Sequence, residues 1–149
     1  DKLTICGLCN GLADSDPCSL CADPSREHET LCLVSEWDSL LALEQGGFYK
    51  GLYMILGGLV APLEGVQPQA LDMSKLKVRL REGQVRELIL ALGTTLDAEN
   101  TASYVSNMVH AEFPHVSITR LAQGIPLGSE VRYVDKETLR QSLMHRQNL

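Results

Sequence analysis

Two Cys-x2-Cys pairs, Cys6/Cys9 and Cys18/Cys21, stand near the start of the chain with eight residues between them. They restrict the fold more than any other feature, because residues 1–24 are rich in Cys, Asp, Ser and Gly and hold too few large apolar side chains to build a core. Each pair can clamp one edge of a metal ion while Gly11, Asp14 and Pro17 turn the chain back between them. Tetrahedral zinc with four thiolate ligands suits this spacing, and four thiolates leave no open position for water, so the metal is expected to be structural. Residues 1–24 are therefore predicted to form a zinc knuckle at Cys6, Cys9, Cys18 and Cys21 that unfolds when the metal is removed. Two disulfides, or a redox pair, are the competing reading of the same residues. Five cysteines is an odd number and no secretory signal is visible, which favours metal binding in a reducing compartment, the cytoplasm. Cys32 lies in an apolar run and reads as a small buried residue, not a fifth ligand.

After Pro24 the pattern changes to short apolar runs alternating with amphipathic stretches, the signature of a sheet covered by helices. Leu31–Val34, Leu52–Leu56, Glu87–Leu92 and Val116–Thr119 read as strands, the first three ending in glycine or small polar residues. Asp38–Gln45 reads as a helix stopped by Gly46-Gly47, and Glu99–Phe113 as another closed by Pro114. Leu76–Arg81 alternates like a strand, yet Asp72 is a good N-cap and Met73, Leu76 and Leu80 share a helical face, so a helix is predicted. Asp135 is expected to cap a last helix carrying Leu139 and Leu143. The whole is an α/β domain with a mostly parallel sheet flanked by helices, joined to a small N-terminal four-cysteine knuckle.

Thirteen basic against nineteen acidic residues give a net charge of −6, which argues against strong nucleic-acid binding through net charge. The apolar runs are too short to cross a bilayer, so no membrane partner is expected. Glu36 follows the first strand and Asp97 and Glu99 follow the third, and the C-terminal ends of adjacent parallel strands converge on one crevice. Three carboxylates there suit a hard cation such as Mg2+; alternatively Asp97 and Glu99 cap and complement the start of a helix. Lys75, Lys77, Arg79, Arg81 and Arg86 form a basic cluster for phosphate or an acidic partner, or a solvated helix face paired with Glu82 and Glu87. The chain has no phosphate-binding G-x-x-x-x-G-K-[ST] loop, no tyrosine placed for strand cleavage, and only scattered histidines.

The four-cysteine knuckle, the run from Leu56 through Gly57, Gly58, Pro62, Gly65 and Pro68, and the run from Ala122 through Gly124, Pro126 and Gly128 to Glu130 together resemble the RecR family. Their order and spacing match that family along essentially the whole chain. The resemblance implies that residues 25–120 form a Toprim domain with Glu36, Asp97 and Glu99 at its acidic site, and that 121–149 hold a Walker-B-like segment and a helix that join neighbouring subunits. Ala98, Asn100, Thr94 and Gln67 depart from the usual residues, but no carboxylate is lost. The implied role is a non-enzymatic scaffold of recombinational gap repair that assists RecO and RecF in loading RecA on single-stranded DNA, assembled as a homo-oligomer, a ring tetramer. The family carries a helix-hairpin-helix DNA-binding module before the knuckle. This chain begins almost at the knuckle, with Asp1 and not Met, so DNA contact is expected mainly through that missing part. The rival from another class is a Mg-dependent Toprim nuclease or primase-like enzyme with Glu36 as general acid or base.

Overall fold

A computed structural model describes residues 3–149. Its first element is a hairpin of β1 (Thr4–Ile5) and β2 (Leu12–Ala13), followed by a single helical turn, α1 (Ser19–Ala22). The core of this unit is the four cysteines themselves, all buried, with Ala13 and Leu20 packed against them.

The larger unit runs through β3 (Glu27–Val34), α2 (Trp37–Gln45), β4 (Gly51–Ile55), α3 (Met73–Glu82), β5 (Glu87–Ala91), α4 (Leu96–Glu112) and β6 (Ser117–Arg120). An arm follows, with a short 3-10 turn (Val131–Tyr133) and α5 (Lys136–Met144). The four strands pair in the order β4-β3-β5-β6 and are parallel throughout, as βαβ crossovers require. Leu31, Cys32, Leu33 and Val34 are all buried because both faces of the sheet are covered there. Leu31, Leu33, Leu88 and Leu90 point to one side and share a core with Leu76, Leu80, Val105 and Val109 of α3 and α4. Cys32, Val34, Tyr53 and Ile55 point to the other and share a smaller core with Leu40 and Trp37 of α2. Burial alone pushes the Cys32 thiol up to about 12, as a structural cysteine without a partner requires.

Several boundaries differ from the sequence reading for physical reasons. The ambiguous segment is the helix α3, with Met73, Leu76, Arg79 and Leu80 buried at helical spacing. Asp72 occupies its N-cap position but makes no capping bond, because its carboxylate accepts the Asn10 side-chain amide at 2.9 Å. α4 begins at Leu96, earlier than the acidic residues suggested, because the Thr95 hydroxyl caps it by accepting from the Ala98 N–H at 3.1 Å. Asp135 caps α5 as expected, accepting from the Thr138 N–H at 2.9 Å. Among the described residues no helix is long and apolar enough to cross a membrane.

Candidate functional site

The four cysteine sulfurs lie within 4.8 Å of one another, with Cys6 Sγ to Cys21 Sγ at 3.8 Å and Cys9 Sγ to Cys18 Sγ at 3.7 Å. A tetrahedron of Zn–S bonds of about 2.3 Å has S···S edges of about 3.8 Å, so the set is already spaced for a metal of that size. Backbone amides complete the cradle: the N–H groups of Gly11, Cys18 and Cys21 donate to Cys9, Cys6 and Cys18 Sγ at 3.3, 3.3 and 3.4 Å. The Cys21 thiol beside it, helped by the Gly11 N–H, holds Cys9 down at about 5 against the effect of burial. Cys9 in turn raises Cys21, and burial raises Cys18. A bound divalent cation would favour the thiolate form of its cysteine ligands. Zinc fits this donor set: when bound it would be held by Cys6, Cys9, Cys18 and Cys21 and would contribute folding energy, with no position open for a reacting water.

The knuckle is fastened to the sheet by Asn10, which the sequence reading did not single out, and by Lys75 and Arg79, which it placed in a basic cluster. Asn10 adopts the left-handed backbone conformation, with φ 70°, and sends its side-chain amide to the Ile55 carbonyl at 2.8 Å. The Ile55 N–H donates to the Cys9 carbonyl at 2.8 Å, so the knuckle loop and the end of β4 exchange two bonds. Lys75 of α3 donates to Asn10 Oδ1. The Trp37 indole lies where a Cβ on Gly11 would stand, at 2.6 Å, which restricts that position to glycine while α2 packs there. Arg79 donates from Nη1 to the Leu8 carbonyl of the knuckle at 2.6 Å and to the Tyr53 carbonyl of β4 at 2.8 Å.

Glu36 precedes α2 at its N-cap position and is exposed, while Asp97 and Glu99 lie in the first turn of α4. The adjacent strands β3 and β5 bring these helix starts to one edge of the sheet, beneath the loop after β4. That loop is pinned there by the Val60 N–H, which donates to the buried Thr101 hydroxyl at 2.8 Å. The carboxylates share the edge without forming a second metal centre. Among the described residues the four cysteines are the one group of three or more acidic, His or Cys side chains close enough to hold an ion. Glu99 is instead ion-paired with Arg120 of β6. As placed, the three acids are not gathered around one cation.

The basic residues of α3 do not share one exposed face. At 100° per residue, Lys75 and Arg79 fall on one side of the helix and Lys77 and Arg81 on the other. The first two turn inward to the knuckle. Lys77 pairs with Glu112 at 3.0 Å, Arg81 is exposed, and Arg86 lies beyond the helix facing Glu29 at 3.7 Å.

Comparison with known proteins agrees with this architecture. The family model of the Toprim domain matches residues 29–122, and the model described as RecR, C-terminal, matches residues 124–147. The chain is similar to Recombination protein RecR of Nitratidesulfovibrio vulgaris, 60% identical over 149 residues that make up all of this chain and 74% of that protein. It is similarly related to Recombination protein RecR of Maridesulfovibrio salexigens, 61% identical over the same 149 residues and 74% of that protein. The protein of the same name from Caulobacter sp. is 42% identical over 145 residues, 97% of this chain and 72% of that protein.

Proposed function

The chain belongs to the RecR family of recombination proteins, and on that premise we propose that it acts in the cytoplasm as a non-enzymatic scaffold of gap repair. In this reading it assists RecO- and RecF-type mediators in loading RecA on single-stranded DNA, and zinc fills the four-cysteine centre as a staple. Glu36 and Asp97 serve as a surface for the mediator and not as a reaction centre.

The observation that carries this reading is the arm. No residue of 121–149 is buried, although the segment presents Leu121, Ile125, Leu127, Val131, Tyr133 and Leu143 to solvent. An apolar surface of that kind marks an interaction site. A second copy of this chain covers it in the proposed homo-oligomer, a ring tetramer. The acidic edge supports the same view, since its carboxylates are not gathered around one cation and Glu99 is already paired.

The test is the rate of RecA assembly on gapped DNA with a RecO-type partner, for the natural chain and for the double variant Glu36→Ala/Asp97→Ala. The expected result is slower loading by the variant, with the DNA intact in both reactions. Mg2+-dependent DNA cleavage by the natural chain, lost in Glu36→Ala, supports the Toprim nuclease reading instead.

A further inference from the structure

Arg79 is a buried cation without an anionic partner in the larger unit. It is 9% exposed, among the described residues no carboxylate pairs with it, and its Nη1 bonds go to two neutral carbonyls. Its Nη2 is buried and makes no hydrogen bond. A guanidinium left in that state is costly to bury unless a negative charge lies near.

The chemistry next to it supplies that charge. Leu8, whose carbonyl Arg79 contacts at 2.6 Å, lies between the ligands Cys6 and Cys9. Four thiolates around a divalent zinc carry a formal charge of −2, and the three backbone N–H groups that donate to the sulfurs are neutral dipoles.

We propose that Arg79, delivered by α3 of the Toprim domain, is the counter-cation of the zinc–tetrathiolate centre, so that zinc affinity and knuckle docking are one coupled property. The inference rests on zinc occupying the cluster and is independent of the mediator role. Loading the metal places charge beside Arg79, and docking Arg79 against Leu8 and Tyr53 stabilises the metal. Outer residues that tune a bound metal characteristically change its affinity by roughly ten- to a hundredfold.

The experiment is zinc competition against a chromophoric chelator on the full chain, comparing the natural protein with Arg79→Met and Arg79→Lys. The expected result is a fall in zinc affinity of roughly ten- to a hundredfold for Arg79→Met, with most of it recovered by Arg79→Lys, which keeps the charge. Unchanged affinity in a natively folded Arg79→Met chain overturns the proposal, as does an equal loss in both variants, or a natural chain that binds no zinc. Should Arg79→Met fail to fold, hydrogen exchange on the natural chain decides. Zinc removal is expected to speed exchange in α3 around Arg79 and leave the α4 amides near Val105 unchanged; identical α3 protection with and without zinc overturns the coupling.

Discussion

Asn10 donates its side-chain amide to the Ile55 carbonyl at 2.8 Å across 45 positions of sequence, from a backbone held at φ 70°. The bond ties the knuckle loop to the end of β4. Asn10→Ala removes it together with the bonds to Asp72 and Lys75, and leaves a Cβ in the left-handed region without the polar side chain that suits asparagine there, whereas Asn10→Gly removes the same bonds at a residue that adopts this φ freely. Both are expected to destabilise the chain by about 1–3 kcal/mol in urea unfolding, with alanine worse than glycine by about 1 kcal/mol. Equal or negligible losses contradict the docking described here.

Arg26 holds α2 to β4 by gripping Glu44 with both terminal nitrogens at 3.1 Å, while the Tyr53 hydroxyl donates to the same carboxylate at 2.9 Å. Burial opposes the charge on Glu44, but Arg26 and Tyr53 outweigh it and keep its pKa below the usual carboxylate range. A depressed folded-state pKa means stability that is present above the unfolded value of about 4.3 and lost as pH falls through the folded one. Glu44→Gln should therefore cost about 1–2 kcal/mol at pH 7, held to that range by the 33% exposure of the Glu44 side chain. The gap should narrow on acidification in thermal melts; a gap that does not change with pH contradicts the assignment.

Five buried cysteines fall into two chemical classes. Cys6, Cys9, Cys18 and Cys21 form a cluster able to hold a metal, while Cys32 is packed against β4 and α2 with its thiol pushed up to about 12. Titration with an aromatic disulfide reagent should find no reactive thiol in the zinc-loaded chain, four after chelation, and the fifth only in denaturant. Reaction of Cys32 in the folded, chelated chain contradicts its burial.

The arm beyond β6 leaves Leu127 fully exposed, and its docking on a second copy is the basis of the proposed assembly. Leu127→Asp should lower the solution mass by light scattering while leaving the circular dichroism unchanged. An unaltered mass removes the arm from the interface.

The sheet was legible because Leu31–Val34 and Glu87–Leu92 are continuous apolar runs whose both-sided burial requires covering helices. The cysteine cluster was legible from the two Cys-x2-Cys pairs, since cysteines three residues apart meet locally and a short loop joins the pairs. The joint was not. Asn10 and Arg79 act on Ile55, Leu8 and Tyr53, and nothing within a few residues of either marks those partners. Arg79 read as one member of a basic run because helical spacing separates the two sides of α3 but does not say which of them meets the knuckle. Thr95 was missed as the α4 cap because Asp97 and Glu99, also favourable at a helix start, stand beside it.

X-ray absorption at the zinc edge of the purified chain reads the four-cysteine centre itself. A staple without chemistry predicts one zinc per chain in a shell of four sulfurs at about 2.3 Å, with no oxygen or nitrogen ligand. A zinc shell with fewer than four sulfurs and a bound water, or a chain that folds fully without metal, contradicts it.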